Sequence, residues 1–205
     1  MIILKTIVVL LMSIRVSAAI DDSQAATALS EEDRWQYSLL IAKASNDNNM
    51  DPLLIAAVMW NESDFRNLTV NRTKDYGLMQ VHWQKMGRGE GWLSGVTKDD
   101  LLVPEINIPV GVRELVFWRK TCRKRGHKAS EHFWVSHYKW GNVVRSDRYE
   151  RRILRRYRKL IRSQSREANA ETTRRRSASA RRSDERRANG QVSRSETGVS
   201  VVALY

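Results

Sequence analysis

Asp51-Pro52 opens the segment that most restricts how this chain can fold. A capping carboxylate followed by a proline marks a helix start, because the proline sits where no backbone donor is needed. From there Leu54, Ile55, Val58 and Met59 recur at helical spacing and supply one apolar face. Glu62 falls four residues after Val58, on the same face. An acidic residue thus ends an apolar helical run, near the helix C-terminus, where the dipole disfavours negative charge. Partial burial adds desolvation, and both effects favour the neutral carboxyl. A short loop later comes Asp75-Tyr76-Gly77-Leu78-Met79-Gln80-Val81, with a turn-forming glycine and a polar amide.

The rest of the chain reads as mostly helical. Ser30 with Asp33 marks a helix start leading into Trp35, Leu39, Leu40 and Ala42. Residues 71–83 hold turn residues and short alternation, which fits a loop or a short hairpin. Asn107-Ile108-Pro109 is read as opening a helix that carries Val112, Leu115, Val116 and Trp118. Another is expected from about Ser130 to Lys139, and a fifth near Asp147 to Ile161 with arginines off its apolar face. The lone cysteine, Cys122, excludes an intramolecular disulfide, so the core must hold without a staple.

Both ends differ from the middle. Lys5, the apolar run Ile7 to Met12 and the small residues Val16-Ser17-Ala18-Ala19 form the pattern of an export signal. The run is interrupted by Arg15 and is short beside the ~20 residues of a bilayer span. Residues 1–19 are therefore expected to direct the chain to the periplasm or outside the cell. The net charge is +13, concentrated in the C-terminal part. From 164 to 205 the sequence is rich in Arg, Ser, Ala and Glu with few large apolar residues. Such a segment cannot bury enough surface to offset ordering entropy, and it is expected to be a disordered basic tail. Clustered cations suit an anionic wall polymer or a membrane surface. No nucleic-acid partner is expected, because the chain carries an export signal and no recognition module with interleaved aromatics.

Four separated segments in order resemble the catalytic domain of the soluble lytic transglycosylases, of the lysozyme-like superfamily. They are Glu62-Ser63, then Gly77-Leu78-Met79-Gln80, then Asn107-Ile108 with Gly111, then Tyr138-Lys139-Trp140-Gly141. The resemblance covers about Leu39 to Tyr149. It implies a mainly α fold: a lysozyme-like helical domain over 30–163, with a short loop or hairpin beside the cleft. It implies peptidoglycan glycan strands as substrate and Glu62 as catalytic acid and base. Ser63, Asp75, Gly77, Met79, Gln80 and Tyr138 are implied around the substrate, with Tyr138 matching the tyrosine that approaches the glutamate. Asn107 is assigned to capping and Gly111 to close helix packing. Lys139 stands where the family usually has Asn.

Taken singly, these residues have plainer uses: Met79 as core packing, Tyr138 as a core-edge aromatic, Glu62 as a solvated helix end. Their joint occurrence favours the functional reading. Asp75 departs from the small apolar residue most of the family carries. Asp-Tyr-Gly-x-x-Gln also resembles animal-type lysozymes, where that Asp is a second catalytic carboxylate, and specialised transglycosylases of secretion and conjugation systems. Such machinery is accordingly a candidate partner. A retaining hydrolase using Glu62 and Asp75 is the first alternative, and requires carboxyl groups ~5 Å apart. A noncatalytic basic wall-binding protein is the second. No cofactor is implied. His82, His127, His132 and His137 lack the spacing of a metal set. Trp83 and Trp92 are the tryptophans expected to stack on sugars. A glycan on Asn61, one of three sequons with Asn67 and Asn71, would fill the cleft beside Glu62.

Overall fold

The computed structural model describes residues 2–22, 29–67, 74–83, 95–125 and 133–195. Trp92, His127, His132 and the sequon Asn71 lie outside them. The described backbone is mainly helical. Its helices are α1 (Ile2–Asp22), α2 (Glu31–Asn48), α3 (Pro52–Ser63), α4 (Pro104–Lys124), α5 (Ser136–Trp140) and α6 (Arg148–Ser195). Two two-residue strands, β1 (Asp75–Tyr76) and β2 (Val81–His82), form an antiparallel hairpin that pairs Asp75 with His82 and Tyr76 with Val81. Short 3-10 turns precede α4 and α5. The chain divides after Gln164 into two units.

The two expected helix starts are built as the sequence indicates. Ser30 Oγ accepts from the Asp33 N–H (3.0 Å), and Asp51 Oδ1 accepts from the Leu53 N–H (2.8 Å). Helix α3 is the core of the first unit. Residues 53–59 are all buried, as an apolar helix with neighbours on every side must be. It ends where Asp64 turns left-handed (φ 52°) and its N–H reaches the Trp60 carbonyl (3.1 Å).

Two expectations are corrected. Helix α4 starts at Pro104, not Asn107, and Pro109 sits inside it. Asn107 therefore caps nothing. Its side chain is fully buried and bonds the hairpin: Oδ1 accepts from the Met79 N–H (2.7 Å), while Nδ2 donates to the carbonyls of Tyr76 (2.9 Å) and Leu101 (2.8 Å). The apolar run is not short beside a bilayer span: with Arg15 included, residues 3–21 form a helix long and apolar enough to cross a membrane, with mean hydropathy 2.0. A signal sequence passes the same test. One face of α1, with Ser13, Val16 and Ile20, is buried, and α1 packs on α2 and α3. Beyond Gln164 the described backbone continues in α6, which runs to Ser195. Arg, Ala and Glu are good helix formers, and Glu171 pairs with Arg175 one turn on. The side chains from Ala168 to Ser179 are exposed, as the lack of core-forming residues requires.

Two glycines mark where elements meet closely. A Cβ on Gly77, which has φ +70°, would fall 2.2 Å from the Leu101 carbonyl oxygen and 2.4 Å from Asn107 Nδ2. A Cβ on Gly111 would fall 2.6 Å from the Met79 Cβ, which is the close packing expected of Gly111.

Replacing Asn107 with Ala leaves three buried backbone groups without a partner, which should cost roughly 3 kcal/mol or more. In thermal unfolding this corresponds to a fall of about 6–12 °C for a chain of this size. An unchanged transition would show that the hairpin does not depend on Asn107.

Candidate active site

Glu62 occupies the last turn of α3, and its carboxyl faces two donors. Tyr149 Oη donates to Glu62 Oε1 at 2.6 Å, and Asn61 Nδ2 donates to the same oxygen at 3.1 Å. Tyr149 lies in the first turn of α6, which is fastened along α3 at further points. Arg156 donates to the Trp60 carbonyl (2.6 Å) and to Asp64 Oδ1 (3.0 Å) and lies over the Trp60 ring at 4.7 Å. The Tyr157 hydroxyl reaches Asp51 at the other end of α3. The glutamate is thus held by the helix that carries it and by the helix laid alongside.

A cavity of about 190 Å³ opens beside the carboxyl. It is lined by Glu62 of α3, by Asp75, Gln80 and His82 of the hairpin, by Glu114 of α4, and by Tyr138 and Lys139 of α5. Typical small-molecule sites occupy about 300–1,000 Å³, so this volume suits the reacting group rather than a whole disaccharide.

Burial raises the Glu62 pKa above the ordinary carboxyl value, and the charge of Asp75 pushes the same way. The hydrogen bonds from Tyr149 and Asn61 and the charge of Lys139 oppose the rise without cancelling it. The result is a carboxyl biased toward its protonated form. Both tyrosines stay phenols: burial, with nearby carboxylate charges, raises Tyr138 and Tyr149 well above the usual phenol value.

The expected substrate residues fall into two groups. Asp75, Gln80 and Tyr138 line the cavity with Glu62. Gln80 also donates through Nε2 to the Gly77 carbonyl (2.8 Å), and Asp75 Oδ1 accepts from His82 Nδ1 (2.7 Å). Ser63, Gly77 and Met79 face inward. Ser63 Oγ donates to the Met59 carbonyl (3.1 Å), one turn back in α3. Gly77 packs against Leu101 and Asn107, and the Met79 side chain is fully buried beside Gly111. Their part in the site is to place the backbone. Tyr138 does not bond the glutamate: its hydroxyl donates to the Met79 carbonyl (2.7 Å), and Tyr149 is the tyrosine on Glu62. Sequence reading missed Tyr149, Glu114 and His82 as site residues. His82 could have been found from its position opposite Asp75 in the hairpin, whereas nothing local marks Tyr149. Trp83 is half-buried and packs against the core.

The family model of the transglycosylase SLT domain matches residues 39–144, just over half the chain, and the chain belongs to that family. Membership carries peptidoglycan lytic transglycosylase function in general terms, with peptidoglycan glycan strands as substrate. Comparisons with curated proteins and with solved structures give no match.

A raised carboxyl pKa makes stability depend on pH. The stabilisation from keeping Glu62 protonated is complete below the ordinary carboxyl range and is lost as pH rises through the raised folded value. Glu62→Gln should therefore match the wild type in acid and become the more thermostable of the two at neutral and alkaline pH. A stability difference that does not vary with pH would contradict the raised value.

Proposed function

We propose that the protein cleaves the β-1,4 bond between N-acetylmuramic acid and N-acetylglucosamine and leaves a 1,6-anhydro-muramic end. The observation that carries this reading is a half-buried Glu62, its pKa raised by desolvation, at a cavity lined by polar side chains. In the reaction, the Glu62 proton passes to the leaving glycosidic oxygen as the bond to the anomeric carbon breaks. The substrate's acetamido oxygen assists departure. The 6-hydroxyl oxygen then bonds the anomeric carbon and returns its proton to Glu62, so the acid is regenerated. Tyr149 and Asn61 hold the carboxyl through both steps, stabilising the carboxylate between them.

One observation favours a second reading. Asp75 lines the same cavity and is nearly buried, so a retaining hydrolase with Asp75 as second carboxylate remains the rival. The two differ in product: anhydro ends for the transglycosylase, reducing ends for the hydrolase. The apolar N-terminal helix supports export through residues 1–19, with action in the periplasm or outside the cell. The exposed arginines of α6 support attraction to anionic wall polymer.

Mass spectrometry of digested sacculi tests the proposal. Anhydro ends are expected from the wild type and from Asp75→Asn, whereas Glu62→Gln should lose roughly 10²–10⁴-fold in rate. Substantial turnover by folded Glu62→Gln would remove Glu62 from its role. Reducing ends from the wild type, with activity abolished in Asp75→Asn, would establish the hydrolase instead.

Truncation after Gln164 should weaken sacculus binding while sparing turnover of a short neutral glycan. Binding by the full chain should fall steeply with salt, as the Debye length shrinks to ~3 Å at 1 M. Salt-insensitive binding would exclude the basic segment as its cause.

A further inference from the structure

The hairpin carries a side-chain pair that the reaction as written does not use. Asp75 and His82 are direct cross-strand partners, and the imidazole Nδ1–H donates to Asp75 Oδ1 at 2.7 Å. Both line the cavity that holds Glu62. Asp75 is 8% exposed, so its carboxylate has lost most of its hydration and relies on protein donors. The pair also rests on a fixed platform. Asn107 grips Tyr76 and Met79 from behind, and the Trp83 N–H donates to the Lys74 carbonyl (3.1 Å) just outside the bridge. A neutral imidazole that donates through Nδ1 has its tautomer set by that bond.

We propose that His82 is a positioning residue: bonded across the hairpin, it orients the Asp75 carboxylate toward the cavity, where that charge faces the positive charge that develops on the sugar ring as the glycosidic bond breaks. This rests on the proposed reaction at Glu62 and adds a residue to it. A fixed anion aimed at developing charge costs no reorganisation at the moment of reaction, which is why such groups act on rate rather than on ground-state binding. The other charged or titratable groups around the pair are Glu62, Glu114, Lys139 and Tyr138. The charge of Asp75 also favours the protonated form of Glu62.

The test uses the full chain and a soluble peptidoglycan oligosaccharide, with kcat and KM measured separately. His82→Phe removes the donor at similar size and should lower kcat by roughly 10–100-fold, the worth of one hydrogen bond to a charged group, with KM little changed. His82→Asn, whose amide can take the place of Nδ1–H but cannot be charged, should recover most of that loss. In an Asp75→Asn background, His82→Phe should cause no further loss, because the effect runs through Asp75. Equal losses in both backgrounds, or a His82→Phe enzyme with wild-type kcat, would overturn the proposal. If His82→Phe does not fold, His82→Leu is measured in its place, and a wild-type kcat in that folded variant overturns it. Glu62→Gln, assayed alongside, separates the two levels. Turnover by that variant refutes the reaction at Glu62, whereas its inactivity beside unaffected His82 variants refutes the role of His82 alone.

Discussion

The Asn107 amide joins the hairpin to α4, and the geometry of the site follows from that junction. Its three hydrogen bonds satisfy the Met79 N–H and the carbonyls of Tyr76 and Leu101, all inside the core. An unpaired buried group costs the full desolvation penalty, so these bonds hold the turn in one place. Gly77 allows the approach, since any Cβ there would collide with Asn107 and Leu101. Gly111 allows it one turn further along α4, where Met79 packs. The inward faces of the Gly-Leu-Met-Gln run thus fix the outward ones, Asp75, Gln80 and His82, around the cavity.

The electrostatics of the site are a contest that burial wins. Tyr149, Asn61 and Lys139 all favour the glutamate anion, and desolvation with Asp75 favours the acid. A carboxyl serving first as acid and then as base needs both influences. Too strong a bias toward the proton would make it a poor base, and too weak a bias would leave no proton to give. Lys139, which replaces the family's usual Asn, adds a positive charge to this balance. Fastening α6 along α3 contributes in two ways: it excludes water from one side of Glu62 and delivers the Tyr149 hydroxyl.

Local chemistry made parts of this legible in sequence. Ser30 and Asp51 are caps because short polar side chains can satisfy orphan helix donors. Helical spacing put Glu62 at the end of the apolar run, and only the motifs that follow it made it a candidate acid. The hairpin over 75–82 was expected as one of two options. Tertiary relations were not legible. Tyr149 meets Glu62 across 87 residues, and no periodicity records that contact. Asn107 looked like a cap because polar residues near a proline usually are, but Pro104 had already opened the helix. The motif that holds Ser63, Gly77 and Met79 does not say which way a side chain points, and all three face inward. Composition showed that the tail could add little to the core but was silent on whether its backbone would be helical, because helix propensity and burial are separate properties.

Everything proposed for the reaction depends on Glu62 holding its proton more tightly than an exposed carboxyl does. The most direct measurement is a carbon NMR titration of side-chain-labelled glutamate, with the Glu62 resonance assigned by its loss in Glu62→Gln. The account predicts that the Glu62 carboxyl titrates above the ordinary value of about 4.3 while exposed glutamates titrate near it. A Glu62 resonance that titrates with the exposed glutamates, or below them, would contradict it.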